Sequence, residues 1–165
     1  MISIIRASIG LMSIACEIIN SNMKLYKNIL ENPSEIQDYL VNDQWVKKNF
    51  PKREFYLVKS EQEYVGMASF QKLNDFAYIG YFHIKFPKYQ KGYGTQLMKF
   101  LEMRTKTEKL NKIRLFTHKN ASWAIKYKKK MGVRLLEDDQ QTIDHLDSGL
   151  LRQFHKKNHI LFKQY

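Results

Sequence analysis

The 165-residue chain has the length of one domain with one core, and its 44% hydrophobic and 13% aromatic residues exclude a low-complexity or disordered polypeptide. Twenty-eight Lys and Arg against sixteen Asp and Glu leave +12, so the surface attracts anions: nucleic acid, ribosomes, anionic membranes or phosphorylated cofactors. The same field disfavours a polycationic substrate such as a polyamine unless an acidic pocket reverses it locally. Cys16 is the only cysteine, which excludes an intrachain disulfide and a cysteine-built zinc site. The opening MISIIRASIGLMSIAC is interrupted by serines and followed by Glu17 and the polar NSNMKLYK, so it does not read as an export signal. No run approaches the ~20 apolar residues that span a bilayer, and the expected setting is cytoplasmic.

ISIIRA predicts a first short strand. From Leu11 to about Leu40, apolar residues recur at mixed three- and four-residue spacings, among them Ile14, Ile18, Leu25, Ile29, Ile36 and Leu40. That pattern predicts one or two helices, interrupted at ENPSE, where Pro33 and Ser34 start a new one, and Pro51 ends the helical region. EFYLVKS and EYVGMASFQKL form a predicted hairpin around SEQE, and DFAYIGYFHIKF continues it as a third strand through the turn LND. GTQLMKFLEMRTKTEKL reads as a helix and KIRLFTH as a strand. A second helix runs from about Ala121 to Met131 and stops at Gly132. VRLLEDD and HILFKQY close the chain as strands, with a short helix around SGLLRQF between them. No repeat or linker interrupts this order. It predicts one domain over residues 1–165, of α/β (α+β) class, with a central mixed, mostly antiparallel sheet and helices on both faces.

The stretch YQKGYGTQLMKFLE carries the chemistry. Gly92 and Gly94 lack Cβ atoms, so the backbone can take positive φ and a ligand can approach it closely. Successive amides in such a turn converge on an anion, and the helix that follows adds its N-terminal dipole. Thr95 contributes a hydroxyl, and Lys88 and Lys91 add attraction for a di- or triphosphate group. Neither a P-loop nor a Rossmann fingerprint fits, because GxxxxGK[ST] is absent and Leu97 stands where the third Rossmann glycine belongs. The alternative is a turn whose glycines only ease helix–strand packing.

Strand AYIGYFHI, turn YQKGYGTQLM, strand IRLFTHKN and helix AIKYKKKMGV follow one another as in the GNAT family of N-acetyltransferases, which residues 77–133 resemble. The flanking order, opening with IIRA and helices, agrees with that family. The resemblance implies acetyl-CoA as donor, no metal, and transfer to a primary amine by direct attack in a ternary complex. The amine would belong to a protein N-terminus or lysine, a small molecule or an aminoacyl-tRNA. It implies that Gln90, Lys91, Gly92, Tyr93, Gly94 and Thr95 hold the pyrophosphate. Phe82, His83 and Ile84 would pair with pantetheine, the Ile84 amide polarising the thioester carbonyl as an oxyanion donor does.

Three positions depart from the family pattern. Tyr89 stands where Gln or Arg opens the glycine motif, with Gln90 one place late. Ala121 stands where an Asn precedes the later helix, with Asn120 one place early and still a candidate cofactor contact. Lys128 stands where a Tyr protonates the leaving thiolate, with Tyr127 beside it. One helical residue is about 100° of rotation, so Tyr127 and Lys128 face differently. Either Tyr127 is a core aromatic and Lys128 serves the cofactor, or the helix is shifted and Tyr127 is the acid. The strand position that often holds a Glu base is Tyr78, which leaves His83, His118 or a water chain to take the proton. His155 and His159 share an i,i+4 spacing without an acidic or cysteine neighbour, which predicts no metal site.

From Lys112 to Lys130 there are seven Lys or Arg and no acid, a solvated face or a contact for RNA or CoA phosphates. Glu137, Asp138, Asp139, Asp144 and Asp147 form an acidic segment that would receive a cationic amine or balance nearby lysines. The competing function is a non-catalytic acyl-CoA-binding or basic RNA-binding module on the same fold; in either case the expected assembly is a monomer or homodimer.

Overall fold

The computed structural model describes residues 1–164 and arranges them as two compact units, residues 1–71 with 81–103, and residues 72–80 with 104–164. In the first unit, strands β1 (Ile2–Arg6), β2 (Glu54–Ser60) and β3 (Glu63–Leu73) pair antiparallel in that order, and β5 (Phe82–Ile84) pairs antiparallel with β3. The hairpin turns through Glu61, held at φ +57°. Helices α1 (Met12–Ser21), α2 (Met23–Lys27) and α3 (Asp43–Asn49) supply the predicted helical region. At Pro33–Asp38 the expected new helix is instead a 3₁₀ turn, capped by the Asn32 side chain on the Ser34 amide at 3.0 Å. Asn42 caps α3 on the amides of Gln44 and Trp45. Strand alternation sorts the core. Phe55, Leu57 and Met67 pack with Met12, Ala15, Ile18 and Val46, whereas Tyr56 on the opposite face meets Phe100 edge-on at 4.8 Å. Phe100 lies on α4 (Tyr93–Thr107), so helices cover both faces of this sheet.

The second unit contains β4 (Phe76–Tyr78) parallel to β6 (Lys112–His118), β6 antiparallel to β8 (His159–Gln164), and β8 antiparallel to β7 (Arg134–Glu137). The sheet is therefore mixed and mostly antiparallel, as expected. Helix α5 (Ser122–Lys130) ends at Gly132, whose φ of +78° lets Val133 donate back to the Lys128 carbonyl at 3.0 Å. Phe76, Tyr78, Ile143, Leu151 and Leu161 form this unit's apolar cluster.

Three further predicted elements change. DFAYIGYFHIKF is two strands, β4 and β5, because Ile79 donates to the Arg114 carbonyl while Tyr81 bonds to Ser69 through both its amide and its carbonyl. Helix α4 starts at Tyr93 and ends at Thr107, three residues before Leu110, because Lys109 turns left-handed at φ +59°. The short helix near SGLLRQF is a 3₁₀ segment, Leu146–Phe154, kinked where Asp147, Ser148 and Gly149 are left-handed. It follows α6 (Gln140–Ile143), a turn missed in the sequence and capped by Asp139. Tyr165 of the predicted last strand lies outside the described residues. Among the described residues no helix is long and apolar enough to cross a membrane.

Candidate active site

Antiparallel pairing fixes what β5 offers. Ser69 donates to the Tyr81 carbonyl and Lys85 to the Val65 carbonyl, which makes Tyr81, His83 and Lys85 the residues bonded to β3. Phe82 and Ile84 lie between them, so their amides and carbonyls face the other way. The Ile84 carbonyl accepts from the Asn22 side chain at 2.9 Å, and its N–H points to the same side. Gly66 opposite makes room for Ile84: a Cβ there would sit 2.7 Å from Ile84 Cδ1.

The chain then runs through Tyr89 into the glycine turn. Gln90 and Gly92 are both left-handed, at φ +66° and +79°, and Tyr93 opens α4. Gln96 donates to the Gly92 carbonyl at 3.1 Å as the first helical bond, so the amides of Tyr93, Gly94 and Thr95 have no acceptor in the preceding turn. Lys91, Gly92 and Thr95 are exposed, and a Cβ built on Gly92 would meet nothing within 4 Å. The turn is open to solvent at Gly92, whereas Gly94 is buried. Its amides and the α4 dipole suit a pyrophosphate.

Tyr93 donates its hydroxyl to Ser60 Oγ at 3.2 Å, tying the turn to the end of β2. Beside it lies a cleft of about 360 Å³ whose walls include Ser60, Glu63, Lys88, Lys91 and Tyr93. Lys88, expected to add attraction for phosphate, is paired with Glu63. Glu63 holds it at 2.8 Å, raising the ammonium pKa, and also approaches Lys85, which pairs with Glu17 at 2.6 Å.

Asn22, at the junction of α1 and α2, is 4% exposed and was not singled out in the sequence. Besides the Ile84 carbonyl, its Nδ2 meets His83 Nδ1 at 3.3 Å, and its Oδ1 accepts from the Tyr89 hydroxyl. Tyr26 lies against His83, ring centroids 6.5 Å apart. Burial pushes the phenols of Tyr26 and Tyr89 up to about 12, so both remain donors.

The remaining candidates belong to the second unit. His118 is 2% exposed, and its Nδ1 accepts the Asn120 amide at 3.2 Å within the turn that starts α5. The His118 ring meets His159 edge-on at 5.3 Å, and burial pulls His159 down to about 4. Asn120 is exposed and its carbonyl accepts from Ser122. On α5, Lys128 is the inward residue: it is 8% exposed, and its ammonium lies 5.8 Å from the Phe162 ring centre. Desolvation lowers its pKa to about 8. Tyr127, beside it, is half-buried with a shielded hydroxyl.

Both charge runs are partly engaged by partners. Lys112 pairs with Asp75, Arg114 is buried against Asp147 at 2.8 Å, and Lys128 is buried, which leaves Lys119, Lys126, Lys129 and Lys130 on the surface. In the acidic segment Glu137 accepts the amides of Asp138 and Asp139, Asp139 caps α6, and Asp144 binds His155 at 2.6 Å. Glu137, Asp139 and Asp144 thus engage turns and the His155 ring, and Asp147 engages the buried Arg114. His155 thus does have an acidic neighbour, but His159 stands on a strand, and no cluster of three metal-ligating side chains occurs among the described residues.

The family model described as the acetyltransferase (GNAT) family matches residues 19–133, which include β5, the glycine turn and α5. The chain belongs to the GNAT acetyltransferase family. That makes it a member of a family of acetyl-CoA-dependent N-acyltransferases. No curated protein matches its sequence. Its fold is similar to that of the PaiA N-acetyltransferase of Thermoplasma acidophilum in complex with coenzyme A, at 14% identity and TM-score 0.79, covering 99% of this chain and 98% of that one. It is likewise similar to a GNAT family acetyltransferase of Staphylococcus aureus Mu50, at 17% identity and TM-score 0.73, with 99% and 98% coverage. A GNAT family acetyltransferase of Elizabethkingia anophelis with acetyl-CoA bound shares the fold at 14% identity and TM-score 0.67, with 99% and 97% coverage. At these identities the likeness carries the fold and not the acceptor.

Proposed function

We propose that this GNAT acetyltransferase moves acetyl from acetyl-CoA to a primary amine by direct attack in a ternary complex, with residues 1–165 working as one domain in the cytoplasm. The observation that carries the reading is the exposed left-handed turn at Gly92, open to solvent and feeding straight into α4. In this reading Gln90, Lys91, Gly92, Tyr93, Gly94 and Thr95 hold the pyrophosphate. Phe82, His83 and Ile84 line the pantetheine arm, and Asn120 adds a polar contact. The Ile84 amide, directed away from β3, donates to the thioester carbonyl as negative charge develops there.

For the thiolate that leaves, we assign Lys128 as proton donor over Tyr127. Its pKa of about 8 lies close to the ordinary thiol value of about 8.5, so the proton can move without a large uphill step. His118 is given no base role, since its Nδ1 is already an acceptor inside the α5 turn. The amine proton passes to water.

Release of free thiol from acetyl-CoA tests this reading with a panel comprising an N-terminal peptide amine, a lysine-containing peptide, a small monoamine and an aminoacyl-tRNA. At least one acceptor is expected to raise release above the acceptor-free rate. Tight acetyl-CoA binding with no turnover on any of them contradicts transfer and favours the binding module.

A further inference from the structure

We propose that Asn22 is the positioning residue of the acetyl-donor strand, one side chain that sets the His83 tautomer, caps the Ile84 carbonyl and anchors Tyr89 at the head of the glycine turn. The inference rests on the acetyl-CoA reading above.

The logic is one of donors and acceptors. The Ile84 carbonyl can only accept, so the atom 2.9 Å from it must be the Asn22 amide nitrogen. That places Oδ1 toward Tyr89, whose hydroxyl must therefore donate. It also places the second Nδ2–H against His83 Nδ1 at 3.3 Å, so that ring nitrogen accepts. A neutral imidazole that accepts at Nδ1 carries its proton at Nε2. His83 consequently presents a donor, not a base, at its outer nitrogen. These three assignments are mutually consistent. Burial holds the Tyr89 phenol protonated, which keeps that contact in one sense.

Position gives these bonds their meaning. Asn22 is buried, and its partners are 61 to 67 residues away in sequence. Two of them are the β5 residues His83 and Ile84. The third opens the glycine turn, at the position where the family pattern asks for Gln or Arg. With the Ile84 carbonyl engaged by Asn22, the strand's outward edge is fixed in orientation, and the Ile84 N–H is the group left to answer an incoming carbonyl. Tyr89 takes over through its side-chain bond the anchoring of the turn. Asn22 touches neither donor nor acceptor in this scheme; it acts through His83, Ile84 and Tyr89.

Long-range ¹H–¹⁵N spectra of the labelled full chain read the His83 ring directly, and amide spectra during acetyl-CoA addition read Ile84. The wild type is expected to show the Nε2–H tautomer and a shift of the Ile84 amide on addition. Asn22→Asp, which offers only acceptors, is expected to move the ring proton to Nδ1. Asn22→Ala is expected to abolish the single-tautomer signature and weaken acetyl-CoA binding roughly tenfold through loss of the strand and turn anchors. Tyr89→Phe, which removes one hydroxyl, is expected to weaken binding about threefold while leaving the His83 tautomer unchanged. An Nδ1–H tautomer in the wild type overturns the proposal, as does an unchanged His83 spectrum in both Asn22 variants. If the Asn22 variants do not fold, a His83 tautomer that moves in Tyr89→Phe also overturns it. An Nε2–H tautomer with no acetyl-CoA response anywhere in the wild type overturns the acetyl-CoA reading instead.

Discussion

Lys88, beside the glycine turn, and Lys128, on α5, are lysines in opposite electrostatic settings. Lys88 shares Glu63 with Lys85 in an exposed chain of pairs that continues to Glu17, so solvent and counter-charges hold it ionised. Lys128 is buried among its own unit's side chains, its ammonium facing the ring of Phe162, and burial alone pulls its pKa to about 8. The same contrast runs through the two regions. Around β5 and the turn, polar groups are settled by neutral hydrogen bonds to Asn22 and by surface pairs. Around α5 and β6, ionisable groups are carried inside, as with Arg114 against Asp147, whose side chains are 5% and 13% exposed. The first arrangement leaves backbone amides available to an anionic ligand. The second stores free energy in desolvated charge, which brings the Lys128 proton nearer to neutral pH than that of an exposed lysine.

That contrast can be broken most forcefully at the buried pair. Asp147→Asn leaves the Arg114 guanidinium buried without its carboxylate and is expected to cost about 3–5 kcal/mol in urea unfolding. A loss comparable to that at an exposed pair would mean that Arg114 is not truly desolvated.

Lys128→Met should act with the opposite sign. Below pH 8 the amine is protonated in both folded and unfolded chains, and burying the charge costs about 3 kcal/mol. Between pH 8 and the ordinary value of 10.5 the unfolded chain binds more protons, so stability of the native protein rises with pH and the penalty fades. The variant is therefore expected to be the more stable protein near neutral pH, with an advantage that shrinks toward pH 10.5. It is also expected to turn over more slowly and to lack the fall in rate that the Lys128 assignment predicts for the native protein above about pH 8. Unfolding curves at several pH values, beside thiol-release rates, separate the two effects. Tyr127→Phe is the matching control, with the pH limb retained.

Gly92→Val attacks the first region. The protein offers the new side chain open space, so the cost is left-handed backbone strain of about 1–2 kcal/mol together with intrusion on the ligand side. Coenzyme A affinity by calorimetry is expected to fall at least roughly tenfold, given strain of that size. The smallest effect belongs to Lys88→Ala, which removes an exposed, salt-screened pair and is expected to leave the unfolding midpoint unmoved.

What was legible in the sequence depended on how local its cause is. The β2–β3 hairpin follows from alternation, α5 from its stop at Gly132, and the glycine turn from residues within a few positions of one another. The break between β4 and β5 is hidden in a continuous apolar run, because it is made by a change of hydrogen-bonding partner from Arg114 to Ser69. The 3₁₀ kink is likewise invisible, since left-handed Asp147 is held by the distant Arg114. Whether Tyr127 or Lys128 turns inward is a matter of helix phase, and a lysine at the buried position defeats any reading by hydrophobicity. Asn22 gave no signal at all: NSN reads as a polar interruption, and its partners are more than sixty residues away.

Hydrogen–deuterium exchange of the full chain with and without acetyl-CoA tests the central claim most directly. Residues 82–84 and 90–95 are expected to gain the strongest protection when acetyl-CoA is present. Binding that leaves both segments unprotected, or protects only the basic residues 119–130, would contradict the assignment of the β5 edge and the glycine turn as the donor site.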